Sequence, residues 1–302
     1  MTTAAELVEE TKRHLNSFQR EPMNKLSAPL TSSATSVTFT YPVDQLQAGS
    51  LVEVGLELMY VWSIDPATRS AVVQRAHLGS VATAHDTSDL VRVNPRFPDF
   101  HIFKALNDDL AELSSPSNGL YAVRDVDITT SGSRLGYDLA GASGLIDIIE
   151  VRYKQRGGFK DWPILPSWSL GRGVDATDFP SGYALTTHSP LESGRSLNVL
   201  YKAGFTPLLT LASDVTAVTG LPASMHDLPP LGAAMRLLAP REAKRNFTEA
   251  QGDSRRAQEV PAGAVAASLR PIALMRQNRI NAEATKLVAA YPTRFPMTYG
   301  AM

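Results

Sequence analysis

Hydrophobic residues recur with two different periods along this chain, and the order of these periods most constrains its fold. Residues 4–19 carry apolar side chains at helical spacing, residues 35–94 switch to the period of two typical of half-buried strands, and residues 99–113 return to helical spacing. A second strand-rich stretch covers residues 120–205, and helical patterns follow from residue 206 to residue 290. This order differs from the strand–helix alternation of a doubly wound parallel sheet.

We therefore predict an α+β protein with a helical bundle as its core. The bundle is expected to combine N-terminal, central and C-terminal helices from residues 1–34, 95–118 and 206–302, and to end in an extended C-terminal docking segment. Two β-rich units, sandwich-like or barrel-like, are expected as insertions at residues 35–94 and 119–205.

Four local features of this scheme are specific enough to test. The alternation from Leu51 to Ile64 predicts one long strand, and Gly49 and Gly79 are predicted at bends. Residues 206–220 are predicted to be helical. Residues 155–182 are predicted to form a long irregular loop that contacts a partner, because long loops in compact domains are commonly functional.

Composition excludes several classes of protein. The 302 residues include no cysteine, which removes disulfide frameworks, thiol nucleophiles and cysteine-bound metal centres. The net charge of −1 argues against a surface that coats nucleic acid. No apolar run approaches the roughly 20 residues that span a bilayer, so no membrane partner is expected, and the acidic N-terminus does not resemble a signal peptide.

The charge is distributed unevenly. Residues 236–294 contain eleven basic and five acidic residues, which leaves an excess of negative charge on the rest of the chain. Two interpretations of this pattern remain open. The basic residues form a solvated helical face, or the chain carries two surfaces of opposite charge that meet across an interface. Basic residues of this segment and two tryptophans of the long loop are the candidate interaction residues: Arg241, Lys244, Arg245, Arg255, Arg256, Arg276, Arg279, Trp162 and Trp168.

The sequence contains no recognised catalytic signature. The phosphate-binding loop G-x-x-x-x-G-K-[ST], the G-x-S-x-G nucleophile elbow and the H-E-x-x-H zinc motif are all missing. His85 and Asp86 are the residues that a metal pair would use, but ordinary hydrogen-bonding or packing roles are favoured for the histidines. We therefore predict no catalytic residue, no cofactor and no metal. Asp161 and Trp162 leave open a carbohydrate-active enzyme or a glycan-binding module.

Several stretches resemble the head-to-tail adaptor (neck connector) proteins of tailed bacteriophages. They are residues 51–65, residues 72–80, the pair Ala84-His85 and residues 90–98, which contain Val93-Asn94-Pro95-Arg96-Phe97. The following helix carries Ala105-Leu106-Asn107, and residues 276–295 are similar to the ends of the same group. The adaptor pattern has a glycine after the arginine of its turn, where this chain has Ala76.

The resemblance implies a structural protein of the virion, not an enzyme. It implies a ring, commonly of twelve copies, at the neck between the capsid portal and the tail, assembled in the host cytoplasm. The implied partners are other copies of the chain, the portal, downstream tail, stopper or nozzle proteins, and genomic DNA that passes through the lumen without sequence-specific binding. A tail or baseplate hub subunit is the alternative within the same particle.

Overall fold

A computed structural model describes residues 2–16, 21–154, 162–249 and 264–292, with side chains undescribed at residues 16, 240–249 and 264–268. Five α-helices lie in these ranges: α1 (Ala4–Asn16), α2 (Asp99–Leu113), α3 (Val215–Thr219), α4 (Leu228–Glu249) and α5 (Ala264–Ala290). Twelve strands lie there as well: β1 (Met23–Lys25), β2 (Ser36–Thr38), β3 (Leu51–Val54), β4 (Glu57–Asp65), β5 (Ser70–Gln74), β6 (Leu90–Val93), β7 (Ala122–Thr129), β8 (Gly136–Asp138), β9 (Leu145–Tyr153), β10 (Trp168–Arg172), β11 (Tyr183–Thr187) and β12 (Ser196–Ala203).

The prediction of a helical bundle core is wrong. The protein is α+β, but strands predominate, and every strand pair among the described residues is antiparallel. The first sheet builds its own hydrophobic core from the inward residues of its strands and from its loops, so it does not depend on helices to cover that face. Residues 264–290 form a helix, as the helical pattern up to residue 290 predicts.

The chain divides into two compact units. The first is drawn from Met1–Asp109, Leu208–Val215 and His226–Gln277, and the second from Leu110–Pro207, Thr216–Met225 and Asn278–Met302. Strands β1 to β6 belong to the first unit, and β7 to β12 belong to the second.

The six strands of the first unit form one sheet that curls until its outer strands meet. The strand order is β1-β6-β3-β4-β5-β2. At the C-terminal ends of β1 and β2, Ser27 N donates to Thr38 O at 3.0 Å and Thr40 N donates to Lys25 O at 2.9 Å. The enclosed core is made of alternate strand residues and loop residues: Leu26, Leu30, Val37, Phe39, Val43, Leu46, Val52, Val54, Met59, Val61, Ala71, Val73, Val91 and Val93.

The predicted long strand from Leu51 to Ile64 is a tight hairpin. Val54 pairs with Glu57, so Gly55 and Leu56 are the two turn residues between β3 and β4. Gly55 has a φ of 59°, a left-handed conformation that glycine adopts without steric cost. The chain therefore reverses inside a run of alternating residues that reads as continuous. The predicted bends at Gly49 and Gly79 are confirmed, with φ angles of 91° and 82°.

Two three-stranded sheets form the strand-rich part of the second unit. Their orders are β10-β11-β8 and β7-β12-β9. The central strand β12 alternates between half-buried and buried residues along its whole length. The strand β10 lies inside the range predicted to be irregular, so that prediction is wrong for residues 168–172.

The helices of the first unit are fixed by local sequence signals. A capping box begins α1, because Thr3 Oγ1 accepts the amide of Glu6 and Glu6 Oε2 accepts the amide of Thr3. The apolar stripe of α1 includes the buried residues Leu7 and Val8. The helices α1 and α4 belong to the same unit and contact each other.

The predicted helix over residues 206–220 is mostly wrong, since only Val215–Thr219 is α-helical. The side-chain amide of Asn107 accepts the backbone N–H of Leu208 at 2.8 Å and donates to its carbonyl at 3.1 Å. These bonds occupy the backbone groups of Leu208 that a helix would use.

Candidate functional site

Three polar side chains meet in the interior of the first unit. Glu57 begins β4, Arg75 follows β5, and His85 lies in the loop before β6. Arg75 donates from Nε to Glu57 Oε1 at 2.6 Å and from Nη2 to Oε2 at 2.7 Å, a bidentate ion pair. His85 Nε2 lies 2.8 Å from Glu57 Oε2 and carries the hydrogen, because a carboxylate only accepts. All three side chains are buried.

The same cluster holds the backbone of two loops. Arg75 Nη1 donates to the carbonyl oxygens of Thr31 at 2.5 Å and Ala34 at 3.0 Å, and Nη2 donates to that of Thr83 at 2.6 Å. Glu57 Oε2 accepts the amide of Thr83 at 3.1 Å. One arginine therefore ties together β4 and two loops that are distant in sequence.

The hydrogen bonds of this cluster stabilise an ionised carboxylate. Burial on its own raises the pKa of the Glu57 carboxyl, but the bonds from His85 and Arg75 outweigh burial and lower the pKa from 4.5 to about 2. Glu57 is charged at neutral pH and is fully compensated, so it serves the fold and is not poised to exchange a proton.

The turn after Arg75 has an unusual backbone. Ala76 has φ 53° and ψ 39°, and Leu78 has φ 53° and ψ 29°, both in the left-handed region that L-amino acids rarely adopt. Glu57 Oε1 accepts the amide of Ala76 at 3.3 Å. Strain of this kind persists where surrounding contacts over-determine the conformation.

Two residues of this turn and two of β4 form a patch in which Trp62 and Leu78 are exposed and Tyr60 and His77 are half-buried. We call these four residues the Trp62 patch: Tyr60, Trp62, His77 and Leu78. The ring centroids of Tyr60 and Trp62 are 4.8 Å apart, and those of Tyr60 and His77 are 5.4 Å apart. Trp62 is the extra residue of a β-bulge opposite β5, and 59% of its surface is exposed. Leu78 is 58% exposed. An exposed cluster of this composition is typical of a protein–protein contact.

Other residues of the adaptor-like stretches hold backbone as well. Ser80 Oγ accepts the amide of Leu58 at 3.0 Å and donates to the carbonyl of His77 at 2.9 Å. Asn94, with φ 47°, accepts the amide of Leu51 through Oδ1 at 2.8 Å. Five polar side chains of the stretches behind the resemblance therefore bond within the fold: Arg75, Ser80, His85, Asn94 and Asn107.

A cavity of about 300 Å³ adjoins the polar cluster in the same unit. Its lining is rich in charged groups and includes Glu53, Gly55, His85, Asp89, Leu90, Arg92 and Asp99. His85 belongs both to this lining and to the Glu57 cluster. Glu53 on β3 pairs with Arg92 on β6 in strand register, and Asp99 is the first residue of α2.

The carboxyl group of Glu53 is the least compensated group of this cavity. Glu53 is only 1% exposed; its Oε1 accepts the amide of Phe100 at 3.0 Å, and its Oε2 has no hydrogen-bond partner among the described residues. Burial, together with the nearby charge of Asp99, raises the pKa of Glu53 from 4.5 to about 8. Glu53 is therefore mostly protonated at neutral pH.

Asp99 is compensated better but is also perturbed. Arg92 Nη1 and Lys12 Nζ each lie 2.5 Å from Asp99 Oδ1, and Arg92 Nη2 lies 3.2 Å from Glu9 Oε1. Burial raises the pKa of Asp99 from 3.8 to about 7, against the opposing charge of Arg92. Two carboxyl groups of one cavity therefore titrate near neutrality.

The predicted basic interaction residues fall into two groups. Arg276 is buried, with Nη2 2.7 Å from Asp109 Oδ1, and Arg279 donates to Glu283 Oε1 at 3.0 Å and to the carbonyl of Ser224 at 2.6 Å. Both take part in ion pairs within the chain. Three of the predicted residues lie on α4, but the structure does not describe their side chains: Arg241, Lys244 and Arg245. Two more, Arg255 and Arg256, lie outside the described residues.

The two predicted tryptophans are half-buried. The Nζ atom of Lys154 lies 5.5 Å from the ring centroid of Trp162, and Trp168 begins β10 opposite Thr187. Asp161, considered with Trp162 for a glycan site, lies outside the described residues. Of the predicted interaction residues, those with described side chains are Arg276, Arg279, Trp162 and Trp168. None of them belongs to the Trp62 patch or to the cavity described above.

The sequence analysis missed Glu53, Glu57 and Asp99. A signal was present: Glu53 and Glu57 are the charged residues of an otherwise apolar run, where each must find a partner or lose its charge. Within the described parts of the chain, no group of three or more acidic or histidine side chains is arranged to hold a metal ion. No helix described there is long and apolar enough to cross a membrane.

Neither a scan of protein-family models nor a search of curated proteins finds a match to this sequence.

Proposed function

We propose that this chain is a structural protein of a tailed bacteriophage, a head-to-tail adaptor that forms a ring between the portal and the tail and lets viral DNA pass. The observation that carries the proposal is the role of the polar residues behind the resemblance. The side chains of four of them, Arg75, Ser80, Asn94 and Asn107, bond to backbone segments. His85 bonds to Glu57, whose carboxylate in turn accepts the backbone amides of Ala76 and Thr83. Residues that hold the backbone in this way maintain the shape of the protein, which is what a structural subunit requires.

The Trp62 patch supports the same proposal. The Glu57–Arg75–His85 cluster holds the strained turn that carries the exposed Leu78. The ring of His77 in this turn lies 5.4 Å from that of Tyr60, which in turn contacts the exposed Trp62. Tryptophan and tyrosine are enriched among the residues that dominate binding energy at interfaces. A closed ring needs two different complementary faces on each subunit, and we assign the Trp62 patch to one of them, in contact with the adjoining copy.

The distribution of charge is consistent with such a ring. The excess of basic residues in 236–294 opposes a negative excess elsewhere in the chain. Complementary charge on two faces favours correct pairing and disfavours pairing of like faces.

Association with the portal tests the proposal directly. The full-length chain is mixed with the portal ring of the same phage, and the masses of the complexes are measured by mass photometry and imaged by electron microscopy. We expect a ring of this chain stacked on the portal. An intact portal ring that binds none of the chain would contradict the proposal, as would virions that carry the chain anywhere other than the neck.

The role of the patch is tested by the double variant Trp62→Ser and Leu78→Ser. Both side chains are exposed, so we expect an unchanged denaturation midpoint and at least tenfold weaker ring formation on the portal. The matched control is Leu135→Ser, which removes an exposed leucine of the second unit and is expected to leave ring formation unchanged. Wild-type assembly of the double variant would exclude the patch as the ring contact.

A further inference from the structure

The cavity beside Glu53 contains a buried hydrogen-bonding group without a partner. Glu53 Oε2 has no hydrogen-bond partner among the described residues, although Oε1 of the same carboxyl accepts the amide of Phe100 and the backbone amide of Asp99 also acts on this carboxyl. Buried polar atoms are nearly always satisfied in folded proteins, and an exception calls for a physical account. A ligand that supplies a hydrogen-bond donor is one such account.

The charges of the lining indicate the sign of that ligand. Glu53, Asp89 and Asp99 come from three different segments, namely β3, the loop before β6 and the start of α2. The cationic side chain of the lining, Arg92, is already bound to Asp99 and Glu9. His85 is bound to Glu57. The lining therefore has acceptors in excess of free donors.

We propose that this cavity binds a primary ammonium group, as a free alkylamine or as a lysine side chain. An ammonium group carries three divergent N–H donors, which suits carboxyl groups that approach from separate segments better than a planar guanidinium does. A volume of about 300 Å³ has room for a short alkyl chain, and Leu90 and Gly55 provide lining without charge. The site is a further property of the chain and does not depend on ring formation.

Binding is coupled to the release of a proton. Before an amine binds, the Glu53 carboxyl holds its proton at neutral pH, because burial and the charges of Asp99 and Glu21 raise its pKa. When an ammonium N–H is donated to Oε2, the carboxyl ionises and its proton leaves to solvent. The ammonium keeps all of its own protons, so charge balances. The other charged or titratable groups around this carboxyl and its partner Asp99 are Glu9, Lys12, His85, Asp89 and Arg92.

Calorimetric titration of the full-length chain with n-butylamine at pH 7 tests the proposal. Titrations in two buffers of different ionisation enthalpy report the protons released. We expect one saturable site and release of a substantial fraction of one proton. Nα-acetyl-lysine methylamide is the second probe: binding comparable to butylamine identifies a lysine side chain as a ligand, and binding of butylamine alone identifies a free amine. The neutral analogue 1-butanol is expected not to bind.

The decisive variant is Glu53→Gln, which keeps an oxygen for Phe100 N but has no proton to release. We expect at least tenfold weaker binding of butylamine, no proton release, and a denaturation midpoint no lower than that of the wild type. Asp125→Asn, which neutralises an exposed carboxylate of the second unit, is the matched control and is expected to bind as the wild type does. The proposal is overturned if butylamine does not bind the wild type, if 1-butanol binds equally, or if Glu53→Gln binds and releases protons unchanged.

Discussion

The backbone at Ala76 has φ 53° and ψ 39° in a solvent-exposed turn, and the position matches a glycine of the adaptor pattern. The left-handed conformation costs an L-residue about 1–2 kcal/mol, because Cβ crowds the following carbonyl oxygen. The surrounding bonds of Glu57 and Arg75 hold the turn in spite of this cost. The alanine therefore raises the energy of this turn, which the surrounding bonds keep in place.

Ala76→Gly is expected to stabilise the protein by about 0.5–1 kcal/mol. Relief of the strain exceeds the entropy that glycine adds to the unfolded chain, which is commonly about 0.4–1 kcal/mol. Urea denaturation measures the change in the free energy of unfolding. The matched control is Ala84→Gly in the same region, where φ is not positive, and a loss of about 0.5 kcal/mol is expected. A loss of stability in Ala76→Gly would show that the turn is not strained.

At the residue scale, the sequence indicated some of the residues that matter but not what they touch. Arg75 was marked by the resemblance alone, and His85 by the resemblance and as half of a candidate metal pair with Asp86. Their shared partner Glu57 was assigned to an uninterrupted strand, and it becomes the first residue of β4 only because the chain reverses at Gly55. Glu57 contacts Arg75, 18 positions away, and His85, 28 positions away. Both contacts depend on the pairing register of the strands, which no local sequence pattern specifies.

At the scale of elements, Gly232 lets α4 approach α2 closely. A Cβ at Gly232 would overlap the carboxyl of Asp109, which is 1% exposed and forms the ion pair with Arg276 of α5. Three helices thus meet within the first unit around one buried charge pair, in a space that only glycine leaves free.

Gly232→Ala is expected to destabilise the protein by about 3 kcal/mol or more, because displacement of Asp109 breaks a buried ion pair. The sign is diagnostic, since glycine to alanine inside a helix normally stabilises by about 0.5–1 kcal/mol. The control is the same substitution in an Asp109→Ala background, where the carboxyl no longer stands in the way. There we expect no further loss. Equal losses in the two backgrounds, measured by urea denaturation, would refute the steric explanation.

Element prediction succeeded where one apolar stripe is continuous. The helix expected at residues 99–113 is observed at those bounds, because Phe103, Leu106, Leu110 and Leu113 lie on one buried or nearly buried face. The strand β1 was missed, since its sequence Met-Asn-Lys carries no alternating apolar signal. Asn24 is held there by side-chain bonds to the backbone of Tyr41, a tertiary contact.

At the scale of the whole molecule, the buried carboxyl groups give stability an unusual dependence on pH. The raised pKa values of Glu53 and Asp99 mean that the folded chain binds protons more tightly than the unfolded chain. Their contribution is complete below the ordinary carboxyl pKa and is lost as pH rises toward about 8 and about 7. The lowered pKa of Glu57 acts oppositely, and its contribution is lost as pH falls from 4.5 toward about 2.

The first unit is therefore expected to be more stable at pH 5 than at pH 8. Each raised carboxyl contributes a slope of up to about 1.4 kcal/mol per pH unit while it titrates. Urea denaturation followed by the fluorescence of Trp62, in a chain with Trp162→Phe and Trp168→Phe, reports this unit alone. Glu53→Gln should flatten the slope between pH 5 and pH 8. Equal or greater wild-type stability at pH 8 would contradict the assignment.

The closure of the first sheet limits how this unit can associate with other chains. The bonds of Ser27 and Thr40 to Thr38 and Lys25 join the β1 and β2 sides of the sheet through their main chains. Backbone groups engaged in this way cannot pair with a strand from another protein. Such pairing at an open sheet edge is a common cause of aggregation. Any assembly through this unit at that seam must therefore rely on side chains, whose identity can specify a partner and a stopping point.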